Sequence, residues 1–469
     1  MGARVVWRAS RGAAMLAACL AVGFATTTFA QTVDPRAFGF ELQPGKITSG
    51  GDRRVVTVDA DGSTVVAKVH VHVGDGAIVL LPDGSLVARE ARQLTATERP
   101  FEPATMEALA ERILAHELPG FRSQQTRRFL YLYNTSEPFA LATSRVMETM
   151  FPGVVTYAQS QKIDVHPPET PLVVVMFRTE DEFQNYRRMP PGVIAYYDTL
   201  SNRVVMYEQS RLADVKPELA LQQSLATIAH EGAHQILNNI GVQQRLSVWP
   251  MWLCEGLAEF FAPTSTDKRL KWKGAGQVND LRMFELEQYI KGNTSPDNAG
   301  KMVEHTVLAG RLTSTGYATA WALTHYLAKN HRESFHEFVR EISRTGPFEG
   351  GQLDARRGIV PEQLRAFQLH FGEDSAAIES RVVAHLKKLP YRDPFAEWPH
   401  FVALVAYPNG RKTERQADVF HSSSLAEQWQ RDVLSRLDES VRSVAQSVIR
   451  PFPNRAAAEV FVAQWLNQR

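Results

Sequence analysis

The sequence predicts an α+β fold in several parts, and three observations carry that expectation. Between 36 and 98 apolar and polar residues alternate with period two, broken by the turn signals DADG, VGDG and LPDG. Between 101 and 348 short apolar strands give way to long helical segments, in the order strand, helix, strand, strand, helices. After about 350 helical periodicity dominates, interrupted by one hairpin. A chain of 469 residues has room for two or three domains with buried cores. The expected divisions are a leader at 1–30, a small β-rich domain at 31–100, a central domain at 101–348, and a mostly helical region with a β-hairpin at 349–469.

Taken in order, the first thirty residues carry Arg4, Arg8 and Arg11 and no acid, then the apolar run AAMLAACLAVGF. Thr28 and Ala30 stand where a signal peptidase reads small residues, so a cut before Gln31 and an exported, periplasmic or secreted product are expected. LAAC at 16–19 also resembles a lipoprotein box ending in Cys19, but the apolar run continues past that cysteine, which favours ordinary cleavage. His70 and His72, among valines, read as exposed polar residues of one strand face. Thr105 caps a helix that Pro119-Gly120 stops. FLYLYN at 129–134 and PLVVVMF at 171–177 read as strands, with a helix opened by Ser136 and Pro138 and running towards Met150 between them. Thr179 and Glu182 form a capping box, and NRVVMYE at 202–208 is a further strand.

Three helices follow. The first runs from Pro217 to Gly241, the second between Pro250 and Pro263, and the third over 316–331. The late hairpin is FVALVAY, the turn PNG and KTERQADVF, with Ser424 expected to cap the helix after it.

Composition excludes some functions. Lys plus Arg total 52 against 51 for Asp plus Glu, so no charge bias points to nucleic acid. No segment beyond the leader is apolar enough to span a membrane. After cleavage Cys254 is the single cysteine left, so no internal disulfide staples the exported chain. The oligomeric state is not readable.

The first of the three helices contains HEGAH, residues 230–234. Residues four apart on a helix differ by about 40° in direction, so His230 and His234 face the same way from adjacent turns. Their imidazoles can converge on one divalent ion, with Zn–N near ~2.0–2.1 Å. Glu231 is rotated by about 100° and can lean over the open side of the ion, where it takes a proton from water. A catalytic zinc wants three protein ligands and one exchangeable position. EGLAE, twenty residues on, supplies Glu255 as the third candidate. Glu259, one turn later on the same face, is the carboxylate to receive the second N–H of His230. Composition alone would produce H-[DE]-x-x-H in roughly 0.05 copies per chain, and the following apolar helix with two acids makes chance a poorer account still. Cys254 neighbours Glu255 but points about 100° away, as a small buried residue.

HEGAH followed by WLCEGLAEFF resembles the gluzincin metallopeptidases, the thermolysin-like superfamily. Within it the WLxEGLAEFF form is most similar to a peptidase-like family of uncharacterised exported bacterial proteins. The resemblance covers roughly 125–345 and is sharpest over 225–262. It implies a zincin-like catalytic domain, a small mixed sheet plus active-site helices. It also implies Zn2+ held by His230, His234 and Glu255, with Glu231 as general base and Glu259 behind His230. It further implies an antiparallel strand edging the cleft, for which NRVVMYE is the candidate, and a later donor to the oxyanion. Tyr317 is the expected donor and His325 the second choice. The expected function is an exported zinc-dependent hydrolase cleaving a peptide or protein substrate. The alternative is a non-catalytic envelope or binding protein on the same scaffold.

Overall fold

The computed structural model describes residues 32–59, 62–209, 217–265, 271–293, 296–350 and 362–467. The expected leader and Cys19 lie outside the described residues. The architecture is mixed α+β, as the periodicities require.

The N-terminal part is a sheet of seven antiparallel strands. They are β1 (Thr32–Val33), β2 (Gly45–Ser49), β3 (Arg54–Val58), β4 (Thr64–Val73), β5 (Gly76–Leu80), β6 (Leu86–Arg89) and β7 (Thr95–Ala96). The long strand β4 pairs with β2 and β3 along one edge and β5 along the other. Gly74, with φ of +60°, makes the two-residue turn between β4 and β5 that a side chain would strain. This sheet does not stand apart. Val33, Phe40 and Val71 share a core with Leu246 and Phe348, and Arg112 pairs with both Asp59 and Asp83. His70 is drawn into this seam, its Nε2 2.8 Å from the Arg245 carbonyl, rather than left exposed as its valine neighbours suggested. A histidine facing another layer must satisfy its N–H there, and the carbonyl does so.

The central sheet comprises β8 (Arg122–Gln125), β9 (Phe129–Tyr133), β10 (Leu172–Thr179), β11 (Ala195–Asp198) and β12 (Arg203–Gln209). Its order is β11–β12–β10–β9–β8, parallel at the centre and antiparallel at both edges. Alternate residues of the inner strands feed two cores. Leu130, Leu132, Val173 and Val175 face α1 (Met106–His116) and α3 (Glu180–Tyr186). Tyr131, Val174, Met176 and Met206 face α2 (Glu137–Ser160), α4 (Pro217–Asn239), α5 (Met251–Phe261) and α8 (Ser314–Asn330). Between α5 and α8 lie a ribbon of β13 (Thr264–Ser265) and β14 (Lys271–Trp272), α6 (Asp280–Gly292) and α7 (Lys301–Leu308).

Several expectations need correction. The antiparallel edge strand on the Glu231 side is β11, not NRVVMYE, which forms the interior strand β12. The segment IAYYD lacks the apolar run that marked the other strands, because one of its edges pairs with no strand. Helix α2 does not end near Met150 but continues through Pro152 to Ser160. Pro152 lies on the exposed face, so the backbone group it leaves unbonded meets water.

After α9 (Arg332–Ile342), helices α10 (Glu362–Phe371) and α11 (Ser375–Leu386) send Phe367, Ile378 and Val382 into the central core. The remaining C-terminal unit is a three-stranded sheet rather than a bare hairpin: β15 (His400–Asn409), β16 (Lys412–Phe420) and the edge strand β17 (Gln446–Phe452). β17 is largely exposed and contains Pro451, tolerated at an edge, which hid it from periodicity. Helices α12 (Ser423–Ser435), capped by Ser422 rather than Ser424, and α14 (Arg455–Leu466), after the single turn α13 (Glu439–Arg442), cover opposite faces of this sheet. In HSSSLAEQ each serine has capping chemistry, and register alone selected the first of them.

Candidate metal centre and cleft

Helix α4 is built from Ala, Leu and Gln, good helix formers, and buries Leu225, Ile228, Ala229, Ala233 and Ile236 against the sheet. His230 and His234 lie on the flank that meets α5. Helix α5 buries nearly all of WLCEGLAEFF. Its Gly256 is required by close approach: a Cβ there would stand 2.2 Å from Thr324 Oγ1 and 2.6 Å from the Ala320 carbonyl of α8. That contact brings α8, and with it Tyr317, up to the site.

The three expected ligand atoms converge. His230 Nε2 lies 3.1 Å from Glu255 Oε2 and 3.2 Å from His234 Nε2, and His234 Nε2 lies 3.4 Å from Glu255 Oε2. Ligands about 2.0–2.1 Å from a tetrahedral ion are separated from one another by about 3.3–3.4 Å. The triangle therefore has the dimensions of one face of a zinc tetrahedron. Two nitrogens and a carboxylate oxygen are also the donor types zinc takes. Among the described residues no other group of three His, Cys, Asp or Glu side chains is so arranged.

The surroundings orient the rings. Glu259 Oε1 sits 3.1 Å from His230 Nδ1, without the alignment of a full hydrogen bond. Glu259 is itself held by Arg282 Nη2 at 2.6 Å and Asn279 Nδ2 at 2.8 Å. Cys254 Sγ lies 3.8 Å from His234 Nδ1, on the far side of the ring from the triangle, and contacts Gln243. The thiol thus backs the His234 ring and stands away from the triangle.

Charges follow from burial and pairing. Burial disfavours a charged His230, yet Glu259 and Glu255 lift its pKa to about 10. Burial likewise opposes a charged Glu259, but Arg282 and His230 bring its pKa down to about 2. Glu255 is held well below the ordinary carboxylate range: burial opposes this and the two imidazoles prevail. Glu231 goes the other way. Burial raises its pKa, and His230 and His234 only partly offset it. A carboxylate with raised affinity for a proton is what a general base requires.

Glu231 faces a cavity of about 570 Å3, together with His230, Tyr317 and Arg282. Its Oε2 accepts the Tyr197 N–H of β11 at 2.8 Å, so the edge strand fixes the carboxylate. No described residue of 32–100 lines this cavity. A second cavity of about 590 Å3, lying between the N-terminal sheet and the end of α4, holds none of the three ligands nor Glu231. The Tyr317 ring centre is 6.1 Å from that of His230, and the Arg282 guanidinium lies over the tyrosine ring at 5.4 Å. Burial, with Glu255 and Glu231 nearby, keeps its hydroxyl protonated far above the ordinary tyrosine range. His325 is elsewhere: its nitrogens meet His385 Nε2 at 2.9 Å and the Gly276 carbonyl at 3.2 Å, inside the α8 core. It is not placed to act on a group at the triangle, and its position two turns beyond Tyr317 explains why.

A family described as a protein of unknown function, DUF1570, matches residues 224–349. That span contains the ligand triangle, Glu231, Glu259, Arg282 and Tyr317, and excludes β11 and the C-terminal unit. No curated protein matches the chain. Sequence reasoning missed Arg282, Asn279 and the Tyr197 amide. Asn279 was readable as a helix cap before Asp280, whereas nothing in DLRMFELEQ distinguishes Arg282 from a solvated residue.

Proposed function

We propose that the chain is an exported zinc-dependent peptidase of the gluzincin type. The observation that supports this most is the triangle of His230 Nε2, His234 Nε2 and Glu255 Oε2, 3.1–3.4 Å on a side, with Glu231 lining the same cavity as His230. When bound, zinc supplies Lewis-acid polarisation of a carbonyl and a lowered pKa for water. Glu231 takes the proton from the attacking water and passes it to the leaving amine, a double role that its raised pKa suits. The Tyr317 hydroxyl, kept protonated, donates to the oxygen that gains negative charge. Glu259 and Arg282 hold the His230 ring in place.

A peptide is favoured over other acyl substrates by the edge strand. In antiparallel pairing alternate residues turn their backbone groups away from the partner. Ile194 bonds Tyr207 on β12, so Ala195 and Tyr197 turn theirs outward, and the Tyr197 amide does reach Glu231. The Tyr197 amide is taken, but an extended peptide can pair at Ala195, which lines the cavity, its scissile bond carried towards Glu231.

Digestion of a broad peptide library, with and without chelator, tests the proposal. Cleavage that chelation abolishes and added zinc restores is expected. An absence of cleavage across the library by protein carrying one zinc per chain would refute it.

A further inference from the structure

The cavity has an apolar part of its lining beside the polar one. Val193, Ile194, Leu281, Phe284 and Phe395 line it, and all five are only partly buried. Phe284 and Phe395 form a pair, with ring centres 4.5 Å apart and planes at 46°. The two come from distant parts of the chain. Phe284 is on α6, beside Arg282, whereas Phe395 belongs to the turn leading into the C-terminal sheet and lies outside the span matched by the family model.

That turn is fastened rather than loose. Phe395 N–H donates to Asp393 Oδ1 at 2.8 Å, and Arg455 Nη1 donates to Asp393 Oδ2 at 2.8 Å. The Arg455 amide reaches the Ala396 carbonyl, and its guanidinium grips both oxygens of Glu287 on α6 at 2.8–2.9 Å. The Arg392 amide reaches Asp280 at the start of α6. The same helix thus carries Arg282 to the Glu259 carboxylate and is clamped to the C-terminal unit through Asp280 and Glu287.

The charges at the cavity are already spoken for. Glu259 is bound by Arg282 and Asn279, and Glu285 by Arg282 and the Ser314 hydroxyl. Glu231 is held by the Tyr197 amide. A charged side chain entering beside Phe284 would lose water next to two aromatic rings, whereas an apolar one gains from burial.

We propose that the C-terminal unit completes the substrate cleft, with Phe395 and Phe284 together seating a large apolar side chain of the peptide. The inference rests on the peptidase reading and adds to it a substrate preference and a role for residues 391–398. The rings are held before substrate arrives, so little ordering is needed on binding.

The test is kcat/KM for full-length protein on peptide pairs that differ by Phe or Ala at one position, scanned through the positions flanking the cleaved bond. At one position the wild type is expected to favour Phe by about tenfold or more, the scale on which apolar pockets discriminate. Phe395→Ala should bring that ratio close to parity. Phe395→Leu, which keeps bulk and so guards against misfolding, should preserve an apolar preference in narrower form. A wild type indifferent to Phe and Ala at every position, or a ratio unmoved by Phe395→Ala, would overturn the proposal. If no peptide is cut, the peptidase reading fails, and fluorescence anisotropy on the same labelled pairs decides the seat separately. Tighter binding of the Phe peptide that Phe395→Ala abolishes supports it, and equal binding overturns it.

Discussion

The proposed chemistry turns on one side chain, Glu231, and its neighbours make the prediction sharp. Glu231→Gln keeps the size of the side chain and leaves His230, His234 and Glu255 untouched. It should retain one zinc per chain while hydrolysis falls by about 10²–10⁴-fold, read by elemental analysis and initial rates on the same preparation. Glu259 acts at one remove. Glu259→Ala should weaken zinc binding by about 10–100-fold, measured by competition with a chelator, and it should also lower stability because it takes from Arg282 one of its two carboxylate partners. At this scale the sequence was informative where chemistry needs fixed spacing. His230, His234, Glu255 and Glu259 follow from helical periodicity across two helices, and the structure brings all four together. Arg282 and the Tyr197 amide did not show, because an arginine in a polar helix and a backbone group in a short strand leave no pattern until the fold opposes them to Glu259 and Glu231.

The site depends on how closely its helices approach. Gly256 lies between Glu255 and the core, and Thr324 and the Ala320 carbonyl fill the space where its Cβ would be. On an isolated helix Gly to Ala would stabilise by about 0.8–1 kcal/mol. Here Gly256→Ala must part α5 from α8, and a net loss of about 1–3 kcal/mol is expected, seen as a lower Tm together with weaker zinc retention. A raised Tm would show that the two helices can separate without cost. Helices were the legible elements because their caps and glycines are local: Thr105, Ser136 and the Thr179–Glu182 box all stand where expected. The strands that escaped notice are edges. Among the described residues β11 and β17 each pair on one side only, carry mixed residues, and owe their conformation to the neighbour they pair with.

For the whole molecule, the divisions expected from composition are joined by specific seams. His70 marks the seam between the N-terminal sheet and the central unit. Its burial lowers the imidazole pKa from 6.5 to about 4. Between those values the unfolded chain binds a proton that the folded chain does not. Stability is therefore full above about pH 6.5 and declines as the pH falls to 4, by at most about 3 kcal/mol from this group. His70→Gln keeps an N–H for the Arg245 carbonyl and removes the titration. Urea midpoints recorded from pH 7 to 4 should fall less steeply for the variant than for the wild type, and parallel slopes would exclude this linkage.

The central claim concerns one ion and the three atoms that face it. X-ray absorption at the zinc edge on purified protein addresses it directly. The account predicts a single zinc with a shell of nitrogen and oxygen at about 2.0–2.1 Å, including two imidazoles and one carboxylate. A sulfur scatterer near about 2.3 Å would place Cys254 on the metal instead, and an absence of bound zinc after loading would contradict the account altogether.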